Sequence, residues 1–82
     1  MNELTTSNSA ASQRALILAW LRANSLTTQQ ARTKLDIFHP AARVQELREQ
    51  GYNIITRWET VTNHNKKHRI AKYVLFSGGT HA

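Results

Sequence analysis

Lys66, Lys67, Arg69 and Lys72 put four cations within seven residues, with His68 among them. Side chains of that kind at that density can neutralise a row of anions. Nucleic acid is the first candidate partner and an anionic membrane surface the second. The plain alternative is a solvated charge run that aids solubility and guards a strand edge. A second group lies in "HPAARVQELREQGYNI", His39 to Ile54, where Arg43, Gln45, Glu46, Arg48 and Glu49 crowd together. These side chains suit the reading of a hydrogen-bond pattern on a partner.

Bond-breaking chemistry has little to stand on. The five acidic residues are scattered, and Glu46 and Glu49 share a helix face with no pocket implied. "SGG" near the C-terminus is not a phosphate-cradling loop. His64 and His68 have the i, i+4 spacing that holds a metal on a helix, but the spacing falls on a hairpin turn and no third ligand is in view. The expectation is therefore no catalytic residue, no metal and no cofactor.

Bulk properties narrow the class further. Eighty-two residues make one domain with a small core. There is no cysteine, so neither disulfides nor thiolate metal sites contribute. No apolar run approaches the roughly 20 residues of a membrane span, and "MNELTTSNSAAS" is not a secretory leader, so a cytoplasmic protein is expected. The net charge is +6, and it is uneven. Residues 1–50 carry six basic and four acidic side chains, whereas residues 51–82 carry five and one.

The elements that position these groups follow from periodicity. Residues 1–11 read as a tail, and Ser12 as the cap of a helix through "QRALILAWLRAN" with Leu16, Ile17, Trp20 and Leu21 on its buried face. Thr27 and Gln30 form a capping-box pattern, with Leu26 placed to staple against Ala31. The second helix runs from Thr28 to Leu35, with Ala31 and Leu35 inward and Gln29, Arg32 and Lys34 outside. "DIFH" is a turn anchored by Ile37. Pro40 suits the first position of a third helix, which Gly51 stops. Pro40, Val44 and Leu47 form its apolar stripe. Ala42, Gln45, Glu46 and Glu49 lie opposite, and Arg43 and Arg48 flank the seam. After Gly51 the period changes to 2: "YNIITRWETVT" and "HRIAKYVLF" flank "NHNKK", giving a hairpin with a basic tip. Tyr52, Trp58, Tyr73 and Phe76 fit packing beneath the helices better than a base-stacking set. Residues 77–82 read as a loose end.

Helix, helix, turn, helix and hairpin, with a short link between the second and third helices, is the order of a helix-turn-helix followed by a wing. From about Ser12 to Phe76 the chain resembles the small winged helix-turn-helix DNA-binding domains of phage and prophage proteins. The resemblance rests on Ala42, Arg43, Val44, Leu47, Arg48, Gly51 and Ile54, with Tyr73 and Leu75 in the returning strand. It implies an α+β fold, mainly α with a β-hairpin, of three helices and a two-stranded wing occupying residues 12–76. It also implies a regulator or a recombination or replication accessory factor.

On that reading the third helix enters the major groove. Arg43 pairs with guanine and Gln45 with adenine, and Glu46 either accepts from cytosine or serves the fold. Ala42 allows close approach, and His39 meets a phosphate or a base. Thr28 and Gln29 contact phosphates, as do Lys66, Lys67, His68 and Arg69 on the wing, and Arg48 either supports the fold or touches a backbone phosphate. So small a domain needs a homodimer or several copies to read a site, with the tails and the outer face of the first helix as possible contacts. Two other classes remain: a protein-interaction module on the same fold that modulates a host protein, and an RNA binder.

Overall fold

The computed structural model describes residues 9–76. The elements run α1 (Ala10–Leu21), β1 (Leu26–Thr27), α2 (Thr28–Lys34), α3 (Pro40–Glu49), β2 (Ile54–Asn63) and β3 (Lys66–Leu75). The expected loose end at 77–82, and the tail before Ser9, lie outside the described residues.

The first helix starts earlier than its sequence suggests. Ser9, not Ser12, is the N-cap: its extended backbone (φ −70°, ψ 158°) lets its hydroxyl accept from the Ser12 N–H at 3.0 Å. Ala10 and Ala11 therefore belong to α1. The inward stripe is Ile17 and Leu21, with Trp20 partly buried and its indole N–H donated to the Ser25 carbonyl at 2.8 Å. Leu16 falls off that stripe and is exposed, a correction to the four-residue face expected. One residue is 100° of helix, enough to move Leu16 from the seam to the surface.

The capping box at Thr27 is present in both directions. Gln30 N–H donates to Thr27 Oγ1, and Thr27 N–H donates to Gln30 Oε1, each at 3.0 Å. Asp36, at φ 59°, ends α2, and the Ile37 N–H turns back to the Ala31 carbonyl at 3.0 Å. That return drives Ile37 into the core, where it is wholly buried. Pro40 opens α3 as expected, behind a His39 that makes no side-chain cap.

At the other end of α3 the N–H groups of Gly51 and Tyr52 bond back to the carbonyls of Arg48 and Leu47, at 3.0 and 3.1 Å. This is a Schellman closure, and it needs a left-handed residue. Gly51 supplies it at φ +107°, with open space where a Cβ would stand. Gly51→Ala should therefore cost about 1–2 kcal/mol through backbone strain alone. A urea titration followed by circular dichroism checks this, and an unchanged midpoint would refute the account.

The core gathers Ile17, Leu21, Leu26, Ala31, Ile37, Val44, Leu47, Ile54 and Tyr73 beneath the three helices. Full burial of an Ile, Leu or Val contributes about 1.5–3 kcal/mol. The sheet has three strands rather than two, in the antiparallel order β1-β3-β2. Leu26 and Thr27 pair with Tyr73 and Lys72, tying the start of α2 to the base of the hairpin. Two residues are too few for period-2 alternation to reveal, so β1 is not legible in the sequence.

The hairpin pairs without a break from Ile54↔Leu75 to Asn63↔Lys66. Its turn is only His64 and Asn65, both at positive φ (51° and 65°), the two-residue form that matches strand twist. Lys66 and Lys67, expected at the tip, are strand residues. From Arg57 outward β2 is exposed, so the wing projects roughly 20 Å beyond the body.

Candidate nucleic-acid interface

α3 buries Pro40, Val44 and Leu47 and turns Ala41, Ala42, Gln45 and Glu49 to solvent. Ala42 and Gln45 thus stand where a partner could reach them. Arg43 and Glu46 turn sideways toward α1. Glu46 receives Arg14 Nη1 at 2.7 Å and Arg43 Nη2 at 2.9 Å, a half-buried cluster that joins the two helices. For Arg43 to reach a guanine its guanidinium would first have to leave Glu46. Arg48 also points away from the outer face. Its Nε donates to the Ile54 carbonyl at 2.7 Å and its Nη2 to Thr56 Oγ1 at 2.8 Å, so it braces the passage from α3 into β2.

A groove of about 620 Å³ opens between the first turn of α2, the first turn of α3 and the wing. It brings together five of the residues singled out from the sequence: Thr28 and Gln29 from α2, His39 and Ala42 from α3, and Arg69 from β3. Arg32 of α2 adds a second cation, its Nε resting on the Phe38 carbonyl at 3.3 Å. On the wing side the wall includes Trp58 of β2 beside Arg69 and Ala71 of β3. Arg69 lies over that indole, 4.6 Å from its centroid, and the ring is still 58% exposed.

The pleat divides the basic cluster. Directly paired residues share a face. Trp58/Ala71, Thr60/Arg69 and Thr62/Lys67 therefore form the face that continues from the groove. Arg57/Lys72, Glu59/Ile70, Val61/His68 and Asn63/Lys66 form the other. Arg69 and Lys67 are on the groove side, while Lys66 and His68 are behind it. Lys72 is partly neutralised by Glu59, Nζ to Oε2 2.6 Å.

A helix pair joined by a tight turn, its second helix presenting a polar face, beside a projecting β-ribbon is a recognisable architecture. A family model described as a winged helix-turn-helix domain matches residues 12–78. The chain belongs to that family. No curated protein matches the chain, and no solved structure does. Winged helix-turn-helix domains are in general DNA-binding modules and typically not enzymes. Among the described residues no helix is long and apolar enough to cross a membrane.

Within this winged helix the sequence hid two members of the groove, Trp58 and Arg32. Trp58 and Phe76 were expected beneath the helices with Tyr52 and Tyr73; Tyr73 is buried and Tyr52 packs against the core, but Trp58 and Phe76 are exposed. Trp58 sits two register steps beyond Tyr73, past the edge of the helical layer, so its inward-facing parity no longer finds a core. The predominance of polar residues after Trp58, broken only by Val61 before the turn, is the available signal. The periodicity of α2 puts Arg32 on its outer face, where it is exposed, but its neighbourhood with Arg69 depends on the hairpin's fold-back.

Proposed function

We propose that this winged helix-turn-helix binds double-stranded DNA along the groove between α3 and the wing. One observation carries the reading: residues 28 and 29 of α2, 39 and 42 at the start of α3, and 69 of β3 line one concavity, to which Arg32 adds a second cation beside Arg69. A strand of the duplex follows that concavity, with Arg32, Arg69 and Lys67 on its phosphates and Thr28 and Gln29 alongside. α3 then faces the major groove with Ala42 against a base edge or thymine methyl, Gln45 on adenine and His39 at its entrance. Arg43 and Glu46 reach bases only by exchanging their contact with each other. Lys66 and His68 engage phosphate from the wing's far side, and Arg48 acts first as a brace.

The cellular role we infer is a regulator, or a recombination or replication accessory factor, of phage or prophage origin. It works in the cytoplasm on nucleoid DNA, with two or more copies per site because one such helix reads few base pairs. Docking on a host protein is the second reading. It is favoured by Phe38, 72% exposed beside α3, and by an outer α3 face that ends in Glu49 and carries no free cation.

Fluorescence anisotropy of labelled duplex DNA, titrated with the protein at several salt concentrations, separates the two. Affinity should fall steeply and linearly on a log–log plot. A folded protein with no affinity at low salt would end the DNA reading.

A further inference from the structure

The two free edges of the wing are built differently. The outer edge of β3 is covered by β1 at Lys72 and Tyr73, and beyond them it carries Lys66, Lys67 and Arg69. Charges there repel a second strand. The outer edge of β2 carries no run of one sign, only Arg57 and Glu59 of opposite charge, and is covered by Arg48 at its Ile54 end alone. It runs ten residues, Ile54–Asn63, without a glycine, proline or lysine, and its register with β3 is unbroken by any bulge. Ile55, Trp58 and Val61 on it are all at least 40% exposed.

The hairpin fixes which backbone groups face outward. A two-residue turn makes Asn63 and Lys66 a mutually hydrogen-bonded pair, and bonding alternates from there. The N–H and C=O groups of Thr62, Thr60, Trp58, Thr56 and Ile54 therefore point away from β3. The Ile54 carbonyl shows this directly, because Arg48 Nε takes it from outside the hairpin at 2.7 Å. Thr56 to Thr62 remain as an open row of donors and acceptors.

That row is self-complementary in one register. Laid antiparallel against a second copy with Trp58 on the two-fold axis, Arg57 faces Glu59 of the second copy, and Glu59 faces its Arg57. Ile55 faces Val61, and Thr56 faces Thr60. Each outward-bonding residue meets an outward-bonding residue. Centring on Arg57 or on Glu59 sets like charges opposite each other, and centring on Thr56 or Thr60 sets a charge against an aliphatic side chain. We propose that the protein forms a two-fold homodimer by antiparallel pairing of its β2 edges about Trp58, joining two three-stranded sheets into one of six strands. The dimer stands independently of DNA affinity and is measured without DNA.

Sedimentation equilibrium of the full chain should give about twice the 9.3 kDa chain mass. Arg57→Glu alone and Glu59→Arg alone should each be monomeric, because each sets two like-charged pairs across the axis. Mixed in equal amounts they should return to the dimer mass, since each variant then supplies the charges the other lacks. Thr60→Pro should also give a folded monomer, because it removes an outward N–H and leaves the β2–β3 bonds intact. It carries the test if either charge variant fails to fold. A wild-type monomer up to the solubility limit would overturn the proposal. So would folded charge variants that stay dimeric singly or stay monomeric when mixed, or a folded Thr60→Pro that remains a dimer.

Discussion

Replacing Lys66, Lys67 and Arg69 together with alanine is expected to weaken duplex DNA binding roughly a hundredfold at physiological salt and to reduce the log–log salt slope by about 2.7. The reasoning is additive. Each cation that neutralises a phosphate releases its counterion, contributing about 0.9 to the slope. The fold should survive, because all three side chains are exposed on the projecting ribbon and only Arg69 makes a described contact, over Trp58. Losing that stacking costs about 0.5–1 kcal/mol. Anisotropy at four or five salt concentrations, with circular dichroism as the folding control, measures both quantities. An unchanged slope would remove the wing from the interface.

The pleat refines this prediction. Lys67 and Arg69 share the groove face, whereas Lys66 lies behind it. The Lys67→Ala/Arg69→Ala pair should therefore carry more of the slope change per residue than Lys66→Ala. The reverse ranking would put the duplex on the outer face of the wing, away from Thr28, Gln29 and His39.

Local signals that settle within one turn or one hairpin were legible in the sequence. The Thr27–Gln30 box, the Pro40 start, the Gly51 stop and the burial of Ile37, Val44 and Leu47 all depend on neighbours a few residues away. The less legible features depend on what packs across. Arg43 and Glu46 are polar residues on a helix, and nothing nearby in the chain says that Arg14, some thirty residues earlier, will draw Glu46 toward α1. For Arg48 the sequence leaves fold support and phosphate contact both open, and only the turn at Gly51, which brings Ile54 and Thr56 back over it, gives it bracing partners. Trp58 has the parity of a core residue and lacks a core only because the helices end before it. The basic cluster is one run in sequence, and a strand of period 2 divides it between two faces. Tertiary partners thus redistribute polar side chains far more than they redistribute the apolar stripe, which has only one place to go.

Glu46→Ala should lower stability by about 1–3 kcal/mol, the range for removing a hydrogen-bonded charged partner from a partly buried site. Its carboxylate alone joins Arg14 of α1 to Arg43 of α3, with both guanidinium side chains less than a quarter exposed. Arg43 Nε already has no hydrogen-bond partner among the described residues, so losing Glu46 strips Arg43 of its charge partner as well. A domain of this size holds only about 4–12 kcal/mol in total, and the loss should appear as a fall of several degrees in thermal midpoint. The same variant bears on the base contacts. If Arg43 reaches guanine by leaving Glu46, its release should raise DNA affinity, and Arg43→Ala should abolish preference at one base pair. If Arg43 is held as a brace, both variants should lose stability with sequence preference intact, and the double variant Arg43→Ala/Glu46→Ala should lose less than the sum of the two. A double-mutant cycle in stability, run beside one in affinity, separates these outcomes because only the second requires the guanidinium to move.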